Sequence, residues 1–137
     1  MQIRTHKYAE EDLIMQIRTH KYAEDAFPLV KAMQKDNFEA KYRTLALNFP
    51  TMVMQSGLAQ AIGFLMAKGK DKPEHKIILQ HIQTILDRPN LHADILASDI
   101  GQYQLLTRQT LDATAWLKRY TQALLKKEGE AYYESGI

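Results

Sequence analysis

The chain has 137 residues, 18 Lys and Arg against 16 Asp and Glu, and no Cys. That length suits one domain with a core large enough to need no staples, and the absence of Cys excludes disulfide scaffolds, thiolate zinc sites, iron–sulfur clusters and cysteine nucleophiles. A formal charge of +2 neither demands nor forbids a nucleic-acid partner, so only clustered charge would argue for one.

The N-terminus carries an identical repeat: MQIRTHKYAE at 1–10 returns at 15–24. Two adjacent copies do not make a solenoid. The repeat reads as a tandem duplication, a cloning scar or an upstream start, with Met15 the older start. Residues 1–14 are therefore expected to be a redundant extension, 15–128 the helical domain, and 129–137 a loose tail. Arg4, Lys7, Glu10, Glu11 and Asp12 leave no apolar core for a secretory signal. The apolar stretch from Leu45 to Met66 is broken by Asn48, Pro50 and Gln55, so no membrane span is expected. A cytoplasmic protein is the default reading.

Helical periodicity dominates from residue 23 onward. Ala23, Ala26, Phe27, Val30 and Met33 form a first stripe, in which Pro28 predicts a kink or restart. Phe38, Tyr42, Leu45, Ala46 and Phe49 form a second, capped by Asp36 or Asn37 and ended by Pro50. Residues 51–68 are apolar almost all round and predict a central buried helix, with Gly57 and Gly63 at close packing contacts. A turn-rich loop over 68–74 precedes a short amphipathic helix marked by Ile78, Ile82 and Ile85, and 91–97 suits one helical turn. A long last helix over 99–127, capped by Ser98 or Asp99, carries Tyr103, Leu106, Thr110, Ala113, Leu117, Tyr120 and Leu124 at alternating spacings of three and four. The expected fold is all-α, a single-domain bundle of five to six helices.

Motifs for catalysis are missing from the sequence. His75 and His81 are six apart, a spacing that does not stack them on one helix face, and neither HExxH nor a phosphate-binding glycine loop occurs. No metal, cofactor, small-molecule substrate or enzymatic activity is expected. The basic residues carry more information. Arg108, Arg119 and Lys126 are spaced by 11 and 7, which places them within about 20° of one line on an ideal helix. Lys118 lies one position off that line, and Lys41 with Arg43 forms a further pair. Such groups suit contact with nucleic-acid phosphates, while a solvated helix face is the plainer reading of any charged stripe. Trp116, beside the line, suits a base, the core or a subunit contact.

Two blocks carry a resemblance: KYRTLALNFPTMVMQSGLAQAIGFLMAKG at 41–69 and YQLLTRQTLDATAWLKRYTQALL at 103–125. Tyr42 before a basic residue, the Phe49-Pro50 break, the Ser56–Gln60 run followed by Phe64-Leu65, and Leu105–Arg108 leading to Trp116–Arg119 resemble the small helical subunit of the type III-B (Cmr) CRISPR effector complex. The resemblance implies a compact helical protein without an active site of its own. It implies that copies stack in a minor filament along the guide–target duplex, with other Cmr subunits, CRISPR RNA and target RNA as partners. On that resemblance Arg108, Lys118 and Arg119 take a nucleic-acid-facing role. A helical adaptor that binds only protein partners remains the alternative.

Overall fold

The computed structural model describes residue 17, residues 19–127 and residues 129–130. The 1–14 extension and positions 131–137 of the expected tail lie outside the described residues. Within them the chain forms six helices and no strand: α1 over 19–31, α2 Glu39–Ser56, α3 Leu58–Lys68, α4 Pro73–Leu86, α5 Leu91–Ala97 and α6 Ile100–Leu124. The all-α bundle expected from periodicity is the fold observed.

α6 buries the stripe read from its spacing. Leu106, Thr110, Ala113 and Leu117 are in the core, with Tyr103, Tyr120 and Leu124 packed partly against it. Its start is fixed by Asp99, whose Oδ1 accepts from the Gln102 amide at 2.8 Å while the Gln102 side chain accepts from the Asp99 amide at 3.1 Å. This reciprocal box satisfies two amides that the helix geometry leaves open. α2 lays Tyr42, Leu45, Ala46, Phe49 and Val53 against α6 and α4, and α3 adds Leu58, Ala61, Ile62 and Leu65.

Three sequence expectations about helix boundaries are overturned. Pro50 does not end a helix but sits inside α2, which runs on to Ser56; the helix forgoes one backbone hydrogen bond there. Of the kink or restart expected at Pro28, the restart is absent, since Pro28 lies inside α1 and its carbonyl accepts from the Ala32 amide at 3.1 Å. The single apolar helix expected over 51–68 is divided at Gly57. Gly57 has φ 87° and ψ 158°, a conformation essentially restricted to glycine. Its amide closes α2 on the Val53 carbonyl, and its carbonyl opens α3 by accepting from the Ala61 amide. The Tyr103 hydroxyl of α6 accepts from the Ala59 amide at 3.1 Å, so α6 supplies an acceptor for the first turn of α3. α2 also lacks the expected Asp36 or Asn37 cap; its N-cap is Phe38, and Asp36 instead accepts from the Phe38 amide.

The last helix stops at Leu124 rather than 127. Leu125 turns to extended backbone and buries its side chain, and the Gln34 side-chain amide donates to the Leu124 carbonyl at 3.1 Å. Glu39 completes the closure. It is buried, and its two carboxylate oxygens accept the backbone amides of Lys35 at 3.1 Å and Lys126 at 3.0 Å. The α1–α2 turn, where Lys35 has φ 62°, is thereby joined to the end of α6.

The two α3-region glycines give a test with opposite signs. Gly57→Ala forces a side chain into a glycine-only conformation and is expected to cost about 1–3 kcal/mol. At Gly63 an added Cβ meets nothing within 4 Å, so the close contact expected there is absent. Gly63→Ala should stabilise by about 0.5–1 kcal/mol through helix propensity. Chemical denaturation of both variants reads the two signs directly.

Candidate nucleic-acid interface

The sequence-predicted basic residues fall on two surfaces. The first is the outer face of α6. Arg108 and Arg119 are both exposed there, eleven residues and about 16 Å apart along the helix axis. Asp112, one turn from Arg108, lies between them; burial pushes its carboxyl above the ordinary range, and the Arg108 charge opposes that. Lys118 is half-buried to one side. Lys126 does not continue the line, because α6 has ended; it is half-buried, its amide held by Glu39 and its ammonium 3.6 Å from Glu130.

Trp116 is half-buried on the same helix. Its ring lies 5.5 Å from that of Tyr120, which meets Phe27 of α1 edge-on at 5.3 Å. These rings join α1 to α6. Trp116 and Arg119 also line a cleft of 440 Å³ with Thr19, Asp112 and Ala115.

The second surface is a groove of 720 Å³ between α2 and the start of α4. Lys41 lines it, whereas Arg43 points elsewhere: it is half-buried, and its Nε is enclosed without a hydrogen-bond partner. Lys72 and Lys127 join Lys41 in the groove. The sequence placed Lys72 only in a loop and Lys127 only beside a helical line. Pro73 at the first position of α4 was the available signal that a helix starts there.

His75 and His81 serve packing. His81 Nδ1 lies 2.8 Å from the Tyr42 hydroxyl, joining α4 to α2. Tyr42 is fully buried and His81 partly so. His75 is buried and meets Phe64 edge-on at 5.4 Å. Among the described residues no three His, Asp or Glu gather as a metal site, and no helix is long and apolar enough to cross a membrane. One feature that periodicity did not single out is a set of exposed apolar side chains at the α5–α6 corner. Leu96 is 68% exposed and Ile100 78%, with Leu105 nearby in sequence and also exposed.

Comparison with known proteins decides the family. The model of the CRISPR-associated protein family Cas_Cmr5 matches residues 18–124, most of the chain. The chain belongs to the Cmr5 family. These are the small subunits of the type III-B CRISPR system. The CRISPR system Cmr subunit Cmr5 of Thermus thermophilus is 33% identical over 105 residues, covering 74% of this chain and 90% of that protein. The crystal structure of a Cmr5 family protein from the same organism superposes with a TM-score of 0.75 at 33% identity, covering 80% of this chain and 97% of that one. The matched segment holds every expected basic contact except Lys126, and it leaves out the first repeat copy.

Burial pushes the His81 imidazole down to about 4. The unfolded chain protonates this group near pH 6.5 while the folded chain does not, so its contribution is fully present above about 6.5 and is lost as pH falls toward 4. The expected loss is up to ~3 kcal/mol. Denaturation at neutral and mildly acidic pH should show this slope, and His81→Asn should flatten it.

Proposed function

We propose that the chain is a non-catalytic subunit of a cytoplasmic type III-B effector. It packs against other Cmr subunits and against copies of itself in a filament, and presents its basic surfaces to the guide RNA and target RNA. The observation that carries this reading is the exposed pair Arg108 and Arg119 on the outer face of α6, inside the segment that matches the Cmr5 family. Neither guanidinium is needed for the core, and both stand where a phosphate backbone can reach them. Lys and Arg in such positions release condensed counterions on binding, which gives sequence-indifferent and salt-sensitive contact.

The α5–α6 corner supports the protein side of the reading. Leu96 and Ile100 project apolar surface beside clefts of 430 and 330 Å³, lined among others by Tyr103 and Leu105. Clustered exposed apolar side chains of this kind mark contact with another protein. The open edge of Trp116, next to Arg119, adds a second such contact.

Reconstitution of the effector tests both halves. A complex containing Arg108→Glu/Arg119→Glu should assemble normally, bind target RNA about tenfold or more weakly, and show a shallower salt dependence. Unchanged RNA affinity contradicts the assignment of α6 and favours an adaptor that binds protein alone. Leu96→Asp/Ile100→Asp should fold normally by circular dichroism yet fail to enter the complex; normal incorporation contradicts the corner as a subunit contact.

A further inference from the structure

The groove between α2 and α4 has the parts of a binding site. Lys41 reaches it from α2, Lys72 from the loop before α4, and Lys127 from the segment after α6. These three are separated by up to 86 positions in sequence, and no local pattern brings them together. Lys127 is there because Glu39 holds the neighbouring Lys126 amide. The floor is apolar, made by Leu45, Met52 and Phe64, and Thr44 and Asn48 stand on the α2 side.

One end of the groove is the start of α4. Its N-cap, Lys72, makes no side-chain capping bond, and Pro73 occupies the first helical position. An uncapped N-terminus carries partial positive charge and favours an anion. A second observation points the same way. His75 is only 9% exposed, lines the groove, and its Nδ1 makes no hydrogen bond, lying 3.5 Å from Glu74 Oε1. Burial lowers its pKa, and the Glu74 carboxylate opposes this. Asp71 and Glu74 also line the groove and temper the three lysines. That balance suits a singly charged phosphodiester better than a polyphosphate. The volume, 720 Å³, lies in the range of small-ligand sites and exceeds what a phosphate alone would fill.

We propose that this groove seats one nucleotide of a single-stranded RNA segment, its phosphodiester on Lys41, Lys72, Lys127 and the start of α4, and its base over Met52 and Phe64. The proposal rests on the reading of the chain as an RNA-facing subunit and adds a site distinct from the α6 line. A base on an apolar and aromatic floor is bound by stacking, without demand on sequence.

The test is titration of the full chain with a short labelled oligouridylate at several salt concentrations. Lys72→Glu/Lys127→Glu changes exposed side chains and should weaken binding about tenfold, with a shallower salt slope. Asn48→Trp fills the groove without altering charge; it should weaken binding about fivefold with the slope unchanged. Wild-type affinity in either variant overturns the seat. If both groove variants bind normally while Arg108→Glu/Arg119→Glu does not, the seat fails and the RNA-facing reading stands. If the wild-type chain binds no RNA at low salt, both fail.

Discussion

The Glu39 carboxylate accepts two backbone amides that the chain brings from opposite ends of the fold. Lys35, in a left-handed conformation at the α1–α2 turn, and Lys126, beyond the last helix, are both held within 3.1 Å of it. Without that carboxylate, two amides near the core lose their acceptor, a loss of about 1–3 kcal/mol for each one left unsatisfied. More than stability depends on it. The end of α6, the burial of Leu125 and the arrival of Lys127 at the α2–α4 groove all follow from where the chain goes after Leu124.

The elements legible in the sequence are those set by local periodicity. The α6 stripe repeats at three and four over the whole helix, and Arg108 and Arg119, eleven apart on one continuous helix, remain on the same exposed line in the structure. What was not legible depends on tertiary contacts or on backbone angles. Apolar, helix-forming residues lie on both sides of Gly57, Met52–Met54 before it and Leu58–Ala59 after it, and the polar Gln55 and Ser56 between are no helix breakers, so nothing in the local pattern marks the φ of 87° that divides α2 from α3. Pro50 and Pro28 signal breaks locally, yet the packing of Phe49 and Val53 in α2, and of Ala26 and Val30 in α1, carries each helix through. Lys126 left the basic line because Gln34 and Glu39, some ninety residues earlier, terminate α6. The meeting of Lys41, Lys72 and Lys127 is a product of the same closure.

The chemistry of the interior fits a subunit that acts through its surface. His81 is paired with buried Tyr42, and His75 is packed on Phe64. Both imidazoles are held below their ordinary pKa by burial. Arg108 and Arg119 on the α6 face and Lys41, Lys72 and Lys127 around the groove are exposed, and Leu96, Ile100 and Leu105 expose apolar surface at the α5–α6 corner. A division of labour between basic faces for nucleic acid and an apolar corner for protein is what the proposed role would require.

The most direct measurement is ultraviolet cross-linking of target RNA to the reconstituted effector, with the attached peptides of this chain mapped by mass spectrometry. Cross-links are expected in the peptides spanning Lys41–Asn48, Lys72–Lys76 and Arg108–Arg119. Target RNA that cross-links to the other subunits of a fully assembled complex, with no attachment to this chain, would contradict a nucleic-acid-facing role and leave the basic residues as a solvated surface.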